Sequence, residues 1–311
     1  MQLRKLGNTG LDVSILALGG SSLGSVFEPI DENEGIRTVH TAIEHGINLI
    51  DTAPFYGLTT AETVLGKALR DIPRDKYFLA TKVARYGYKE ADFDFSAERV
   101  TRSVDESLTR LGIEHIDFIQ VHDMEFGSLN QIVEETLPAL RKLQAAGKAR
   151  FVGITALPLK LFRQIMDRVD VDQIQSYCHY CLNDSSLADH LPYFHEKGVA
   201  IFNSAPLSMR LLSDTGAPDW HPASPELRAA CAKAARYCNE HGTDLATLAL
   251  QFSVANPGIH TTIVGAATSK RIVQNIREAL QPCDLNLLAE VEKILAPVKN
   301  QTWPSGRTEN N

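Results

Sequence analysis

The chain has 311 residues, of which 44% are hydrophobic and 22% charged, and a net charge of −7, which suits one large barrel or two average domains. Lysine and arginine form no basic cluster, so a nucleic-acid partner is not expected. No apolar run approaches the roughly 20 residues of a membrane span, and the first residues show no signal-peptide pattern, which predicts a cytoplasmic protein without a membrane partner.

Short apolar runs alternate with longer amphipathic stretches along the whole chain. A hairpin is predicted around residues 7–10, and eight strand–helix units follow it. Their strands are ILALGG, INLIDTA, YFLATKV, IDFIQVHD, ARFVGITA, QIQSYCHY, VAIFNSAPL and TTIVGAA. Ser96 and Gly112 are favourable residues for the two ends of the third helix. A last helix, LNLLAEVEKILA, precedes an irregular tail.

This alternation is typical of two α/β architectures. Continuous apolar strands fit a buried parallel sheet, either doubly wound or closed into a barrel. Eight consecutive units, without a GxGxxG motif after the first strand, favour closure. No linker divides the chain, so we predict one domain over residues 1–311. Its predicted fold is a (β/α)₈ TIM barrel with an N-terminal β-hairpin and a C-terminal helix plus tail.

Polar side chains stand at the ends of three consecutive predicted strands. Asp51 ends the second strand, with Tyr56 shortly after it, and Lys82 ends the third. His122 ends the fourth strand and is followed by Asp123. Because the chemistry of such barrels lies at the C-terminal ends of the strands, we expect these side chains to share one mouth. Each alone has a structural alternative, such as a helix cap, a surface amine or a locally bonded imidazole.

A phenol beside an ammonium group is suited to proton transfer. The ordinary pKa of tyrosine is about 10, and a nearby lysine lowers it. We therefore expect Lys82 to tune Tyr56, Asp51 to hold Lys82, and His122 to bind a substrate oxygen. The set contains no hydride acceptor, so a cofactor is implied.

The segment GINLIDTAPFYG and the four residues Asp51, Tyr56, Lys82 and His122 resemble the aldo-keto reductases, whose catalytic tetrad is Asp, Tyr, Lys and His. The resemblance extends from LGNTGLDVSILALGG to GAATSKRIVQNI. Further segments, including SYCHYCLNDSSL and PVKNQTWPSG, resemble members that oxidise sugars.

The resemblance implies NAD-dependent oxidation of the anomeric hydroxyl of an L-sugar to the lactone. L-Galactose is the implied substrate, and L-fucose and D-arabinose are alternatives. Tyr56 is then the general base and His122 orients the substrate, with Asp123 and Trp303 as further substrate residues. The alternative within the family is an NADPH-dependent aldehyde or ketone reductase. Two more distant alternatives are a regulatory subunit and a Schiff-base lyase that uses Lys82.

The resemblance also implies a set of cofactor residues. Arg271 matches a position that meets the 2′-phosphate of NADP, but Ala267 stands where some members have a second cation, so NAD is expected with NADP accepted. Tyr177 and Ser204 are assigned to positions where many members have Gln and Tyr, and Ala156 replaces a usual Asn. The full set is Gly20, Ser21, Asp51, Thr155, Tyr177, Ser204, Pro206, Leu207, Ser208, Met209, Val264, Gly265, Ala266, Thr268, Arg271, Gln274 and Asn275.

The five cysteines indicate reduced thiols rather than a disulfide framework. Cys178 and Cys181 form a CxxC motif, but no second ligand pair is evident, and on a strand the two would face opposite sides. No metal is therefore expected. A monomer or weak homo-oligomer is expected.

Overall fold

The computed structural model describes residues 1–311, and eight of its strands form a closed parallel barrel. Each barrel strand pairs with its neighbours in the order of the sequence, and the last strand closes on the first. The barrel strands are β3 (Leu16–Gly19), β4 (Leu49–Asp51), β5 (Phe78–Val83), β6 (Ile116–Val121), β7 (Ala149–Ala156), β8 (Gln173–Tyr177), β9 (Ala200–Ser204) and β10 (Thr261–Gly265). The predicted (β/α)₈ architecture is confirmed.

The predicted N-terminal hairpin consists of β1 (Leu3–Lys5) and β2 (Asp12–Ser14), which pair antiparallel. Two of its apolar side chains, Leu6 and Val13, are fully buried against side chains of the barrel interior. Gly7 has a φ of +49°, and a Cβ there would lie 2.7 Å from the carbonyl oxygen of Gly198. The turn therefore requires glycine, and the hairpin covers the N-terminal end of the barrel.

Helices surround the barrel and cover the outward apolar side chains of its strands. They are α1 (Glu32–Glu44), α2 (Thr60–Leu69), α3 (Ala97–Leu111), α4 (Leu129–Gln131), α5 (Leu137–Ala145), α6 (Lys160–Met166), α7 (Leu191–Glu196), α8 (Pro225–Glu240), α9 (Leu245–Ala255), α10 (Ser269–Ala279) and α11 (Leu285–Leu295). As predicted, Ser96 caps α3 and Gly112 follows it in the left-handed conformation. No helix combines the length and apolarity needed to cross a membrane.

Two predicted segments differ in detail from the structure. The stretch IVEETLPALRKLQAAG is not one regular helix, because residues Ile132–Thr136 form a π-helical turn before α5. Pro138 in the first turn of α5 lacks an amide donor, which accounts for the interrupted hydrogen-bond ladder. The C-terminal tail is not free of structure either, because residues Thr308–Asn310 form a 3₁₀ turn and Asn310 is buried.

Candidate active site

The C-terminal ends of the barrel strands meet in one mouth. Ala84, Cys178 and Ala205 each follow a strand directly and have left-handed φ angles of 80°, 61° and 55°. Asp123, two residues after β6, has a φ of 48°. Non-glycine residues rarely adopt this conformation, and such strain concentrates at functional sites. The backbone itself thus distinguishes the mouth from the opposite end of the barrel.

Lys82 is the centre of the predicted tetrad. Its Nζ lies 2.7 Å from Asp51 Oδ2, 2.8 Å from the carbonyl oxygen of Thr52 and 3.4 Å from the Tyr56 hydroxyl. Lys82 and Asp51 are almost completely buried. Burial lowers the pKa of Lys82, but the charges and hydrogen bonds of Asp51 and Tyr56 raise it, and the net pKa is raised. Lys82 is therefore a fixed ammonium group that donates toward the phenol.

Two glutamines inside the barrel orient Asp51. Gln120 Nε2 donates to Asp51 Oδ1 at 3.0 Å, and Gln175 Nε2 lies 3.4 Å from Asp51 Oδ2 and 2.8 Å from Ser204 Oγ. Neither glutamine was predicted from the sequence as a residue of the site. A signal was present, since each is a long polar side chain in a strand whose residues are almost all buried.

The pKa of Tyr56 is raised rather than lowered, which corrects the expected direction. Burial is the largest cause and raises it. The Lys82 ammonium lowers it as predicted, whereas the carboxylates of Asp51 and Asp123 raise it. Tyr56 thus holds its proton at neutral pH in this arrangement, and the lysine offsets part of the effect of burial.

His122 lies beside Tyr56, with its ring centroid 5.8 Å from the phenol ring and an interplanar angle of 89°. Burial lowers the pKa of His122 to about 3; the Asp123 carboxylate opposes this effect, and the cations Lys82 and Arg85 add to it. The imidazole is therefore neutral at physiological pH. Its buried Nδ1 has no protein partner. A neutral imidazole can present one donor and one acceptor to a substrate oxygen and its surroundings.

Asp123 is held next to the imidazole by an arginine that sequence analysis did not identify. Arg85 Nη1 donates to Asp123 Oδ2 at 2.5 Å, and the same oxygen lies 3.8 Å from His122 Nε2. The Arg85 guanidinium stacks 3.6 Å above the centroid of the Phe55 ring. The predicted substrate residue Asp123 thus has a fixed carboxylate beside the tetrad.

Glu125 is a further buried acid that the sequence did not reveal. Its Oε1 accepts hydrogen bonds from the Tyr177 hydroxyl at 3.1 Å, Ser305 Oγ at 3.0 Å and the Leu157 amide at 3.2 Å. No cation faces it, and its Oε2 has no partner. Burial raises the pKa of Glu125 to about 8, with a further rise from the Asp123 carboxylate. Asn310 Nδ2 donates to the Glu125 carbonyl oxygen at 2.7 Å, so the tail is fastened to the segment after β6.

The predicted cofactor residues from the first and last barrel strands lie together. β3 and β10 pair with Gly19 opposite Gly265. A Cβ on Gly20 would lie 2.9 Å from Thr52 Oγ1, and one on Gly265 would lie 3.0 Å from Ser22 Oγ. Both glycines thus let hydroxyl side chains of neighbouring segments pack directly against the backbone at the mouth.

Other predicted cofactor residues end strands in the second half of the barrel. Thr155 Oγ1 accepts from the Asp123 amide at 2.9 Å, and Ser204 Oγ accepts from Gln175. Ser208, Met209 and Arg210 form three consecutive left-handed residues after β9. Ser208 is completely buried, whereas Leu207, Met209 and Arg210 are partly exposed at the mouth. Pro206, Leu207, Val264 and Ala266 flank these strand ends in the sequence.

The N-terminus of α10 carries the remaining predicted residues. Thr268 caps the helix by accepting from the Arg271 amide at 3.1 Å. The Arg271 side chain makes no hydrogen bond or ion pair within the chain. Asn275 is buried, and Gln274 Nε2 donates to Glu278 Oε1 at 2.6 Å. Arg271 therefore remains available for a ligand, whereas the Gln274 amide already has a partner.

Tyr177, Trp303 and the two cysteines of the CxxC motif have surroundings that the sequence did not predict. Tyr177 was assigned to the position where many members of the family have Gln, but the glutamine amide beside Asp51 belongs to Gln175. The Tyr177 hydroxyl instead contacts Glu125. Trp303 packs against the His221 ring at 5.0 Å and makes no contact with the tetrad. The prediction that Cys178 and Cys181 face opposite sides of a strand was wrong, because β8 ends at Tyr177. Both cysteines lie in the following turn, where Cys181 Sγ is 3.4 Å from the Cys178 carbonyl oxygen.

The residues at the mouth fit a nicotinamide cofactor. Gln175 Oε1 and His122 Nδ1 are buried without partners at the mouth. Unsatisfied buried polar atoms are rare in folded proteins and point to a missing partner.

Comparison with known proteins identifies the family. The model of the aldo/keto reductase family matches residues 15–296. The chain belongs to the aldo-keto reductases. L-Galactose dehydrogenase of Arabidopsis thaliana is 50% identical over 319 residues, covering 100% of this chain and 99% of that protein. D-Arabinose 1-dehydrogenase of Saccharomyces cerevisiae is 32% identical and covers 94% of each chain.

Solved structures agree with this membership. An aldo-keto reductase from Bacillus halodurans, solved in its holo form, superposes with a TM-score of 0.79 at 27% identity, covering 97% of this chain and 98% of that one. This aldo-keto reductase is thus an enzyme of an oxidoreductase family that uses nicotinamide cofactors.

Proposed function

We propose that this enzyme is an NAD-dependent sugar 1-dehydrogenase that oxidises the anomeric hydroxyl of L-galactose, with L-fucose and D-arabinose as alternative substrates. The observation that carries the proposal is the Lys82 ammonium, which touches both Asp51 and the Tyr56 hydroxyl at the mouth. The sugar class is supported by the similarity to the Arabidopsis and yeast sugar dehydrogenases.

In the proposed reaction, the anomeric carbon loses a hydride and its hydroxyl loses a proton. No protein side chain is a hydride acceptor, and a bound nicotinamide would supply that chemistry. Tyr56 accepts the hydroxyl proton, and Lys82 stabilises the phenolate that must form first. His122 orients the reacting oxygen, and Asp123 accepts hydrogen bonds from neighbouring sugar hydroxyls.

The proposed cofactor positions follow the strand ends. Gln175 and Thr155 would hold the nicotinamide, the loop after β9 the pyrophosphate, and the N-terminal turn of α10 the adenosine. Arg271 would then lie near the adenosine ribose, where it could meet the 2′-phosphate of NADP.

A panel of aldoses assayed with NAD and with NADP tests the proposal, with absorbance of the reduced nicotinamide as the readout. L-Galactose and NAD should give the highest kcat/KM, and the product should be the lactone. Efficient NADPH-dependent reduction of aldehydes or ketones, with no sugar oxidation, would instead establish a carbonyl reductase.

A further inference from the structure

The N-terminus of α10 is already occupied by a carboxylate from a distant part of the chain. Glu34, in the first turn of α1, accepts from the Ser269 amide at 2.7 Å and from Ser269 Oγ at 2.8 Å, both through Oε1. Ser269 is the first residue of α10, so its amide is one of the free donors at the helix start. These free donors and the helix dipole together attract anions.

The Glu34 carboxylate is held in this position from both sides. Arg37 Nε and Nη2 donate to Glu34 Oε2 at 2.9 and 2.6 Å, so each carboxylate oxygen has its own donors. Hydrogen bonding from the Ser269 amide, and then from Arg37, lowers the pKa of Glu34 to about 2. The group is therefore ionised throughout the physiological range.

We propose that Glu34 is a cofactor-specificity residue that disfavours NADP by holding a negative charge where the 2′-phosphate would seek the amides of α10. The inference rests on the proposed placement of the adenosine ribose near Arg271. With the Ser269 amide bonded to Glu34 and the Arg271 amide bonded to Thr268, two of the first three donors of the helix are taken. A phosphate would meet a carboxylate there instead of free amides.

Two opposing charges then set the cofactor preference. The unpaired Arg271 guanidinium attracts a 2′-phosphate, and the Glu34 carboxylate repels it. NAD has only a hydroxyl at this position, so neither charge affects it strongly. The arrangement explains why a chain with Arg271 need not prefer NADP, which the sequence alone left open.

Direct binding of NADH and NADPH to the full-length protein, measured by isothermal titration calorimetry, tests the proposal without reliance on turnover. Glu34→Gln removes the charge and keeps an oxygen that can accept from Ser269. The variant should bind NADPH about ten-fold more tightly, as expected for removal of one like charge at short range, while NADH affinity stays within about two-fold.

Glu32→Gln is the matched control. Glu32 lies in the same turn of α1 and pairs with Lys67 at 2.7 Å, so its substitution removes the same net charge elsewhere. It should leave both affinities unchanged. Glu34→Ala is a second variant, expected to favour NADPH in the same direction, and thermal unfolding checks that each variant is folded.

Equal effects of Glu34→Gln and Glu32→Gln would overturn the proposal, as would no change in the NADPH to NADH ratio. Weaker NADH binding with unchanged NADPH binding would also overturn it, because Glu34 would then contact the ribose hydroxyl. If the unaltered protein bound neither cofactor, the proposed function itself would fail, and this inference with it.

Discussion

Asp51 and Glu125 are two buried carboxyl groups near the mouth, and they differ in whether a cation faces them. Asp51 faces the Lys82 ammonium at 2.7 Å and is further oriented by Gln120. Glu125 is equally buried but meets only neutral donors, and burial raises its pKa to about 8. The first forms a fixed ion pair beside the Tyr56 hydroxyl, whereas the second is a neutral acid that fastens the C-terminal tail.

The largest effect is expected when the Lys82 ammonium, the partner of Asp51, is removed. Lys82→Met should reduce kcat by about 1,000-fold, because the phenolate of Tyr56 loses its stabilising charge. It should also lower the free energy of unfolding by about 3–5 kcal/mol, because Asp51 is left buried and unpaired. Steady-state kinetics and urea unfolding measure the two effects.

The double variant Asp51→Asn with Lys82→Met is the control for this prediction. It should recover most of the stability but none of the activity, because both charges are then absent. If the single variant were as stable as the double variant, the buried pair would not have the structural role described.

The second prediction concerns Glu125, the buried acid that has no cationic partner. Because the folded pKa of Glu125 lies above the ordinary value of 4.5, the folded state binds more protons than the unfolded state between pH 4.5 and about 8. The contribution of Glu125 to stability is therefore present at low pH and declines over that window, by up to about 1.4 kcal/mol per pH unit. Urea unfolding of Glu125→Gln should lack this decline.

Glu98→Gln serves as the comparison, because the Glu98 side chain is 87% exposed. It should keep the pH dependence of the unaltered protein. An identical pH dependence of the unaltered protein and Glu125→Gln would show that Glu125 is ionised in the folded state.

The smallest effect is expected at Arg271, a partly exposed cation without an ion-pair partner. The Arg271 guanidinium has no ion pair to lose, so Arg271→Ala should leave stability within about 0.5 kcal/mol. It should weaken NADP binding about ten-fold and NAD binding much less, because only NADP offers a phosphate. Equal weakening of both cofactors in a binding titration would show that Arg271 does not contact the 2′-phosphate.

The part of the site that could be predicted from the sequence consists of residues at the ends of strands. Asp51, Lys82 and His122 could be predicted because strand ends are readable from the apolar pattern. Gln120 and Gln175 lie inside β6 and β8, so the position of the strand ends did not point to them. The contacts of Ser305 with Glu125 and of Glu34 with Ser269 span 180 and 235 residues, and no local pattern encodes them. The direction of the pKa shift of Tyr56 could not be predicted either, because it depends on how deeply the side chain is buried, and residue spacing does not give that.

Proton transfer by Tyr56 is the central claim, and single-turnover reduction of NAD by L-galactose tests it most directly. Tyr56→Phe removes the hydroxyl that lies 3.4 Å from Lys82 Nζ and keeps the ring. Hydride transfer should slow by about 1,000-fold while the dissociation constant for NAD, measured by titration, stays the same. Retention of most of the hydride-transfer rate in Tyr56→Phe would contradict the account.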